Sequence, residues 1–219
     1  MLMSASSDAP AEAPAGNGGN TITLSSGEEI EAFAAAGANS SAEVVVGSNG
    51  TVWVAPTGTA PPTDSGTAPA AAFKNLGYLT EDGLTGTWGK TTQDLRAWQS
   101  FYPLRQLVTE RAMRIAFALR QWSSITVALA LEATVTGTSP NFTLTPNAPE
   151  VVVKNSFIFD WLDGTKKYRL YIPVGMSTED VETNIVRSDG ANLPLTIAAQ
   201  DPGAGNQPWQ MFTNDPSFG

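Results

Sequence analysis

The side chains that most often perform chemistry in enzymes are scarce in this chain. Its 219 residues include no cysteine and no histidine, which excludes disulfides, thiolate nucleophiles and the usual zinc ligands. Carboxylates remain, and adjacent acidic pairs stand at Glu28-Glu29, Glu81-Asp82 and Glu179-Asp180. A glycosidase needs two carboxylates that face each other across a cleft, which neighbours in sequence rarely do. We therefore interpret these pairs as solvated acids at turns and strand edges.

Other motifs that hold ligands are incomplete or missing. Asp160, Asp163 and Gly164 resemble part of a calcium loop, but the ladder of ligands and the terminal glutamate are absent. The sequence has no nucleophile elbow, no phosphate loop and no dinucleotide-binding glycine motif. It thus predicts no catalytic, cofactor-binding or metal-ligating residue, and a protein that is not an enzyme.

Six tryptophans are scattered along the chain, and two uses are open for them. They could form a platform that binds carbohydrate, or they could anchor the core and interfaces. We favour anchors because the spacing is irregular, whereas exposure of Trp98 or Trp209 would favour carbohydrate. The six are Trp53, Trp88, Trp98, Trp122, Trp161 and Trp209.

The net charge of −9 is distributed unevenly. No Lys or Arg precedes Lys74, whereas seven of the 21 acidic residues do, so fourteen acids and twelve bases remain for the rest of the chain. This near balance disfavours a DNA-binding surface, which needs a clustered basic excess. Five of the bases are arginines in one 25-residue stretch, and we interpret them as partners in salt bridges between subunits. They are Arg96, Arg105, Arg111, Arg114 and Arg120.

Composition and hydrophobic pattern divide the chain into an N-terminal arm and a β domain. Residues 1–43 are rich in Ala, Gly and Ser and acidic, which predicts an extended N-terminal arm with a short helix over 26–36 that ends at Gly37. Residues 44–219 show short apolar runs between turn residues, as in antiparallel β proteins. No secretory signal or apolar stretch long enough for a membrane span occurs, so we expect a soluble protein made in the cytoplasm.

Four dipeptides predict hairpin turns, because glycine accepts the positive φ that such turns require. They are Asn49-Gly50, Asp82-Gly83, Asp163-Gly164 and Asp189-Gly190. The first is expected between strands 44–46 and 51–54, the third between 157–162 and 167–172, and the fourth between 181–186 and 193–199. Alternating apolar residues predict a strand over 111–122, and Ser123-Ser124 predicts the start of a buried helix over 125–133.

Three spaced motifs stand in the first half of the β region. Residues 50–64 read GTVWVAPTGTAPPTD, residues 76–84 read LGYLTEDGL, and Ala97-Trp98-Gln99 follows. Together they resemble the major tail proteins (tail tube proteins) of long-tailed, siphovirus-type bacteriophages, especially those that infect actinobacteria. In that family a strand ends in Val-Ala-Pro, a loop rich in Gly, Thr and Pro follows, and Leu-Gly-Tyr precedes a turn. The resemblance covers residues 44 to 200.

The resemblance implies a mainly β fold, an antiparallel β-sandwich or barrel with one flanking α-helix. Copies would assemble into hexameric rings that stack into a tube for genomic DNA. A long hairpin, assigned here to residues 91–122, would add strands to a barrel around the lumen, and the loop 56–69 would reach the adjacent ring and become ordered only on stacking. The expected acids at the lumen or ring junctions are Glu81, Asp82, Asp94 and Glu110.

The partners expected from this resemblance are further copies of the chain, the tape measure and terminator proteins, and DNA that passes without specific binding. No membrane and no cofactor is expected, and the location is the virion tail. The arm departs from the family pattern, and it fits either a clamp on a neighbour or an outer decoration. Three alternatives remain open: a tail terminator or capsid decoration protein, a carbohydrate-binding β-sandwich, and an enzyme that uses carboxylates.

Overall fold

The computed structural model describes residues 22–23, 29–30, 41–187 and 190–218. They belong to two units that divide between Val44 and Val45. In the first unit, strand β1 (Ile22–Thr23) pairs antiparallel with β2 (Glu29–Ile30), and a 3-10 helix spans Ser41–Glu43. The helix predicted over 26–36 is wrong at Glu29 and Ile30, and the rest of it lies outside the described residues. The domain boundary at residue 43 stays a prediction.

The second unit contains one α-helix and ten strands among its described residues. The strands are β3 (Asn49–Pro56), β4 (Lys74–Asn75), β5 (Leu79–Leu95), β6 (Arg105–Leu119), β7 (Ala133–Thr138), β8 (Asn141–Pro146), β9 (Asn155–Asp163), β10 (Lys166–Ser177), β11 (Leu193–Ala199) and β12 (Gln210–Thr213). Helix α1 (Ser124–Ala130) lies between β6 and β7, and a second 3-10 helix spans Pro216–Phe218.

Eight of these strands form one antiparallel sheet. Its order is β4-β3-β9-β10-β11-β6-β5, and β12 pairs with the first half of β10. Strands β7 and β8 pair only with each other among the described strands. The sheet is therefore built around the hairpin β9–β10, and its far edge is the long hairpin β5–β6.

One face of this sheet covers the main core. Alternate residues of a strand point to the same face, which is why Phe157 and Phe159 of β9 are both buried here. Side chains of β3 and β6, which are four places apart in the strand order, join the same cluster, so the sheet must curl around it. The mainly β, antiparallel fold with one flanking helix is thereby confirmed. The core consists of Val52, Val54, Leu76, Met113, Ile115, Phe117, Leu119, Ala130, Phe157, Phe159, Leu170, Ile172, Leu193, Leu195 and Ile197.

The opposite face of β3, β9 and β10 holds a second, smaller cluster. It contains Ala55, Ile158 and Tyr171 from these strands and Phe73 from the segment that follows β3. The rings of Phe73 and Tyr171 meet edge to face with centroids 6.5 Å apart. The centre of the sheet is thus covered on both faces, and the segment between β3 and β4 is held against it.

The four predicted turns have different outcomes. The turn at Asp163-Gly164 is confirmed, since Gly164 has φ +57° and Asp163 pairs with Lys166 across the hairpin β9–β10. The turn at Asn49-Gly50 is wrong, because both residues begin β3 and pair with Leu162 and Trp161 of β9. No strand forms over 44–46, since the eight-residue pairing with β9 determines where β3 begins.

The other two turn signals also behave differently from the prediction. Gly83 has φ +67° as a turn glycine should, but it lies within β5, where the pairing with β6 jumps from Leu79 to Leu84. This irregularity is a β-bulge and not a hairpin turn. Asp189 lies outside the described residues. The strand expected over 181–186 is wrong, and β11 pairs instead with β6 and the end of β10.

The strand and the helix predicted after residue 110 are confirmed with shifted ends. In β6 the side chains of Met113, Ile115, Phe117 and Leu119 are buried in alternation. The helix begins after Ser123, whose hydroxyl accepts a hydrogen bond from the Thr126 backbone N–H in a capping box. The helix ends at Ala130 because Ala133 starts β7, and it is only half-buried, with Ile125 exposed.

Within the described part of the chain, no helix is both long enough and apolar enough to cross a membrane.

We expect Phe159→Ala to lower the free energy of unfolding by about 3–5 kcal/mol, because it leaves a cavity in the core. Phe159 is fully buried, and its ring contacts Phe157 and Phe117 at centroid distances of 6.1 and 5.6 Å. The matched control Phe101→Ala, at an exposed position, should change the free energy by less than about 0.5 kcal/mol. Denaturant unfolding of the monomer measures both. Equal effects would contradict this description of the core.

Candidate assembly surface

The hairpin β5–β6 extends well beyond the sheet that supports it. Strand β6 pairs with β11 only from Arg114 to Leu119, so its second edge has no described strand partner from Arg105 to Met113. Strand β5 is 17 residues long, and no described strand pairs with its outer edge. At about 3.4 Å per residue, the tip projects roughly 30 Å past Arg114. The predicted long hairpin over 91–122 is confirmed, but its first strand begins earlier, at Leu79.

The tip of this hairpin is apolar and uncovered. Trp98 and Phe101 are fully exposed, and Tyr102 and Leu104 are largely exposed. The tip is closed by a hydrogen bond from the Leu104 backbone N–H to the Leu95 carbonyl oxygen, 2.8 Å long. Such a group of exposed aromatic side chains is typical of a surface that contacts a partner.

The tryptophans therefore divide between the two interpretations. Trp53 and Trp161 pack against the core clusters, as anchors should. Trp98 is exposed, and Trp209 is 38% exposed. Exposure of these two side chains favours a carbohydrate platform. Trp98 shares its tip with other apolar side chains, however, so its exposure fits an interface anchor equally well.

The two faces of the hairpin carry different charges. On the face that continues from the core, Lys90 lies directly opposite Arg111, and like charges in that arrangement repel each other. The other face of the same stretch consists of alternate residues of β5 from Thr85 to Thr91 and the residues of β6 that lie opposite them. Its charged residues are Arg114 and Glu110. In this stretch of the hairpin, the face that continues from the core has a net positive charge. The other face is balanced, since it carries one positive and one negative side chain.

The predicted arginines all lie on this hairpin or directly after it. Arg96, in the tip, pairs with Asp94 of the same chain at 3.3 Å, and this exposed pair contributes less than about 1 kcal/mol. Arg105, Arg111 and Arg114 are exposed, and no salt bridge to them forms within the described residues. The backbone N–H of Arg120 donates to the Tyr78 carbonyl oxygen, which joins the end of β6 to the start of β5.

The predicted acids do not converge. Glu81 and Asp82 are exposed on the bulge of β5, whereas Asp94 lies near the tip and Glu110 lies between the two. Asp94 alone meets a predicted arginine. A role for these acids at a lumen or a ring junction therefore stays a prediction.

The bulge brings two acidic segments together that are distant in sequence. Asp82, Glu179 and Asp180 line a shallow cleft of about 300 Å³ on the outer face of the sheet. Glu179 Oε2 accepts a hydrogen bond of 2.7 Å from Thr196 Oγ1 of β11. Sequence reasoning missed this proximity because the bulge displaces Asp82 from the regular path of β5. All three acids are exposed, and the described residues include no group of acids suited to hold a metal ion.

A larger cleft of about 980 Å³ opens where β3 and β5 approach each other. Phe159, Trp161 and Leu170 lie among its apolar lining, and residues 47–51 and 77–81 also line it. Of the residues that line it, Glu81 alone is charged. The cleft thus lacks the two carboxylates that acid–base hydrolysis of a glycoside requires.

A buried arginine holds the loop that follows β3. Arg169 of β10 is 5% exposed, and its Nε and Nη2 donate to the two carboxylate oxygens of Asp160 at 2.7 and 2.9 Å. Its Nη1 donates to the carbonyl oxygens of Asp64 and Thr67 at 3.0 and 2.6 Å. Trp53 Nε1 also donates to Asp160. Asp160 is therefore a partner of Arg169, which explains its position better than the partial calcium motif does.

The loop is also braced from within by Asp64. Its carboxylate accepts hydrogen bonds from the Thr67 hydroxyl and from the backbone N–H groups of Thr67 and Gly66, at 2.5–2.6 Å. These bonds, the Thr67 hydroxyl first, lower the pKa of Asp64 to about 2. The chain's own hydrogen bonds thus shape the loop 56–69, and its ordering on stacking stays a prediction. The sequence signal for the contact between β10 and this loop was Arg169, a charged residue within the apolar run of β10.

A second polar cluster fastens the C-terminal segment to β10. The Tyr168 hydroxyl donates to Asp215, and Lys166 Nζ lies 3.0 Å from the same carboxylate. The hydrogen bond from Tyr168 holds the pKa of the Asp215 carboxyl well below its usual range, and the same bond raises the pKa of Tyr168 to about 12. Strand β12 is thereby held at the centre of the sheet.

The described residues form a curled antiparallel sheet with one long uncovered hairpin, the architecture of a β-rich protein with edges open to a partner. A family model described as phage tail tube protein matches residues 36–218. Because the match covers most of the chain, the chain belongs to the phage tail tube protein family, and it is a structural component of the phage tail. The resemblance to tail tube proteins is confirmed. A search of curated proteins found no match.

We expect Arg169→Met to lower the free energy of unfolding by about 3 kcal/mol, because it leaves Asp160 without its cation in a largely buried position. It should also make the loop 57–69 a site of rapid proteolysis, since two carbonyl oxygens lose their donor. Arg96→Met, which removes an exposed pair, is the matched control and should change stability by less than about 1 kcal/mol. Denaturant unfolding and limited proteolysis measure these effects. An Arg169→Met protein with an unchanged loop digestion pattern would contradict the anchor.

The lowered pKa of Asp64 predicts a pH dependence of stability. Because the folded pKa of about 2 lies below the ordinary value of 3.8, the carboxylate stabilises the fold above about pH 4, and this contribution is lost as the pH falls towards 2. The difference in thermal midpoint between wild type and Asp64→Asn should therefore be constant above pH 5 and should shrink between pH 4 and pH 2. A difference that stays constant down to pH 2 would show that the charged form is not selectively held.

Proposed function

We propose that the chain is a structural subunit, without catalytic activity, that assembles into hexameric rings stacked as a tube for genome ejection. The observation that carries this proposal is the hairpin β5–β6, whose open edges and exposed faces need a partner. Family membership supports the tail tube as the assembly. The hexameric state and the passage of DNA belong to the proposal.

Edge pairing is the physical basis of the proposed ring. A long strand with unpaired N–H and C=O groups is a template for pairing with another chain, and natural proteins normally protect such edges. The outer edge of β5 and the second edge of β6 beyond Arg114 are both open to strands of neighbouring copies. One hairpin would thereby contact a copy on each side, and contacts of this head-to-tail kind close into rings. Pairing in a closed barrel removes every edge.

Charge on the hairpin supports a distinct role for each face. We propose that the balanced face, with Arg114 and Glu110, lines the lumen, since a surface without a cationic excess does not trap phosphates and lets DNA slide. The repelling pair Lys90 and Arg111 would meet acids of a neighbouring copy. The acidic cleft of Asp82, Glu179 and Asp180 supplies a group of the required sign.

The predicted arginines and acids have separate proposed roles in the assembly. The intersubunit arginines are Arg96, Arg105, Arg111, Arg114 and Arg120. The acids at the lumen or the ring junctions are Glu81, Asp82, Asp94 and Glu110. The loop 56–69, which the chain itself holds in shape, is proposed as the contact with the adjacent ring, and its rigidity lowers the entropic cost of stacking.

The remaining partners follow from the same proposal. Tape measure and terminator proteins would bind the tube from inside and at its end, DNA would pass without specific binding, and no membrane would be involved. The protein would be made in the cytoplasm of the host, an actinobacterium, and incorporated into the virion tail. Residues 1–43 would act as an arm in the assembly, as a clamp or as an outer decoration.

Purified protein should form rings or hollow tubes of uniform width in negative-stain electron microscopy, with hexamer masses in mass photometry. Phe101→Asp puts a charge on the exposed tip without touching the core, so we expect a folded protein that assembles at least about tenfold less well. Phe101→Leu, which keeps the tip apolar, is the matched control and should assemble like wild type.

The other outcomes separate the alternatives. Single rings that never stack would favour a terminator. A persistent monomer at every concentration would contradict the proposal, and a monomer that binds glycans through Trp98 would favour the carbohydrate-binding reading.

A further inference from the structure

The hairpin β7–β8 is a second uncovered surface, separate from β5–β6. Its strands pair in register from Ala133↔Pro146 to Thr138↔Asn141, and no other described strand joins either edge. The base is closed by a hydrogen bond from the Asn147 backbone N–H to the Glu132 carbonyl oxygen at 3.0 Å. A two-stranded sheet alone is marginally stable in water. This hairpin therefore needs cover that the described chain does not provide.

The register makes the hairpin amphipathic. Residues directly opposite each other in antiparallel strands share a face, and alternate residues of one strand do so too. One face is thus apolar, and it carries Ala133, Val135, Gly137, Phe142, Leu144 and Pro146. The other face is hydroxyl-rich and wholly exposed, and it carries Thr134, Thr136, Thr138, Asn141, Thr143 and Thr145.

The apolar face is exposed where a soluble monomer would hide it. Phe142 is 60% and Leu144 is 42% exposed. The turn demands glycine at one position, since Gly137 has φ +114° and a Cβ there would lie 2.4 Å from the Asn141 carbonyl oxygen. The sequence thus maintains this hairpin in a specific shape although Phe142 and Leu144 on its apolar side are exposed, whereas Ala133 at its base is buried.

The edges of this hairpin carry no charged side chain. No Asp, Glu, Lys or Arg occurs between Ala133 and Pro146. Natural edge strands are usually protected by charged side chains, especially lysine, so two bare edges indicate that both are paired in the functional state. The best match to an uncharged edge with alternating threonines is the other edge of the same hairpin in another copy, which repeats its periodicity.

We propose that β8 of one copy pairs edge to edge with β7 of the next, so that these hairpins form a continuous band around the ring. This inference rests on the proposed function, because a head-to-tail contact closes a ring whereas a symmetric contact would stop at a dimer. The threonine face of the band meets water, and on the opposite face Phe142 and Leu144 lie beside apolar side chains of β7 in the neighbouring copy. The band is a subunit interface in addition to that of β5–β6.

Cysteine cross-linking tests this pairing directly, since the chain has no cysteine of its own. Thr136→Cys or Thr134→Cys on one chain is mixed with Thr143→Cys or Thr145→Cys on a chain of different mass, and assembly precedes oxidation. Residues of the same face in paired strands lie within disulfide reach, so at least one mixture should give a heterodimer. Thr165→Cys, in the exposed turn of β9–β10, replaces the β7 cysteine as the control and should give none.

A charge at the edge provides the second measurement. Thr143→Lys and Thr145→Lys lie on the exposed face, so the monomer should keep its circular dichroism spectrum and its thermal midpoint, while rings are lost. Thr165→Lys adds the same charge elsewhere and should leave assembly unchanged.

The outcomes separate this inference from the proposed function. Cysteine variants that assemble into tubes without any cross-link, or lysine variants that assemble like wild type, overturn the inference and leave the proposed function intact. A wild-type chain that never assembles overturns both.

Discussion

The open edge of β5 is the constraint on which the rest of the structure depends. A 17-residue strand with one unpaired side exposes a row of backbone donors and acceptors, and water satisfies them only while no other strand is near. The sheet places this strand last in its order, and the half of β6 beyond β11 shares its exposure. A protein that must remain monomeric would normally cover such an edge. Here β5 and β6 continue beyond the part of β6 that pairs with β11, and the tip that joins them carries exposed aromatic side chains.

The sheet that carries this hairpin is stiff at its centre. Strands β3, β9 and β10 are covered on both faces, and the buried Arg169 links Asp160 to the backbone of the loop after β3. At the other side of β10, Tyr168 and Asp215 fasten the C-terminal strand. Breaking a buried ion pair usually costs several kcal/mol, so the Arg169–Asp160 pair contributes to the stability of the centre of the sheet. The edges of the sheet are free to bind neighbours while its centre stays unchanged.

Much of the fold could be predicted from local patterns. The alternation in β6, the cap at Ser123 and the turn at Gly164 depend on neighbours in sequence, and all three are confirmed. Asn49-Gly50 misled because a strand 100 residues away extends β3 through both residues, and no local pattern shows that pairing. Asp82-Gly83 correctly predicted a positive φ at the glycine, but the residue lies in a β-bulge and not in a hairpin turn. A bulge and a turn can require the same backbone angle, so the dipeptide alone does not distinguish them.

The candidate surfaces were less predictable. The arginines were found by their clustering, but their distribution over two faces depends on the register with β5, which only the structure provides. The amphipathic character of β7–β8 was readable from the alternating threonines of 133–146, yet that segment was not singled out because it contains no charge or aromatic cluster. The anchor at Arg169 required the partners Asp64 and Thr67, which are about 100 residues away.

The most direct test of the account is a cryo-electron microscopy reconstruction of tubes assembled from this chain alone. The account predicts main-chain density that continues from the outer edge of β5 into a strand of the neighbouring copy, with the hairpins forming a closed barrel. Tubes in which the outer edge of β5 faces solvent along its whole length would contradict it.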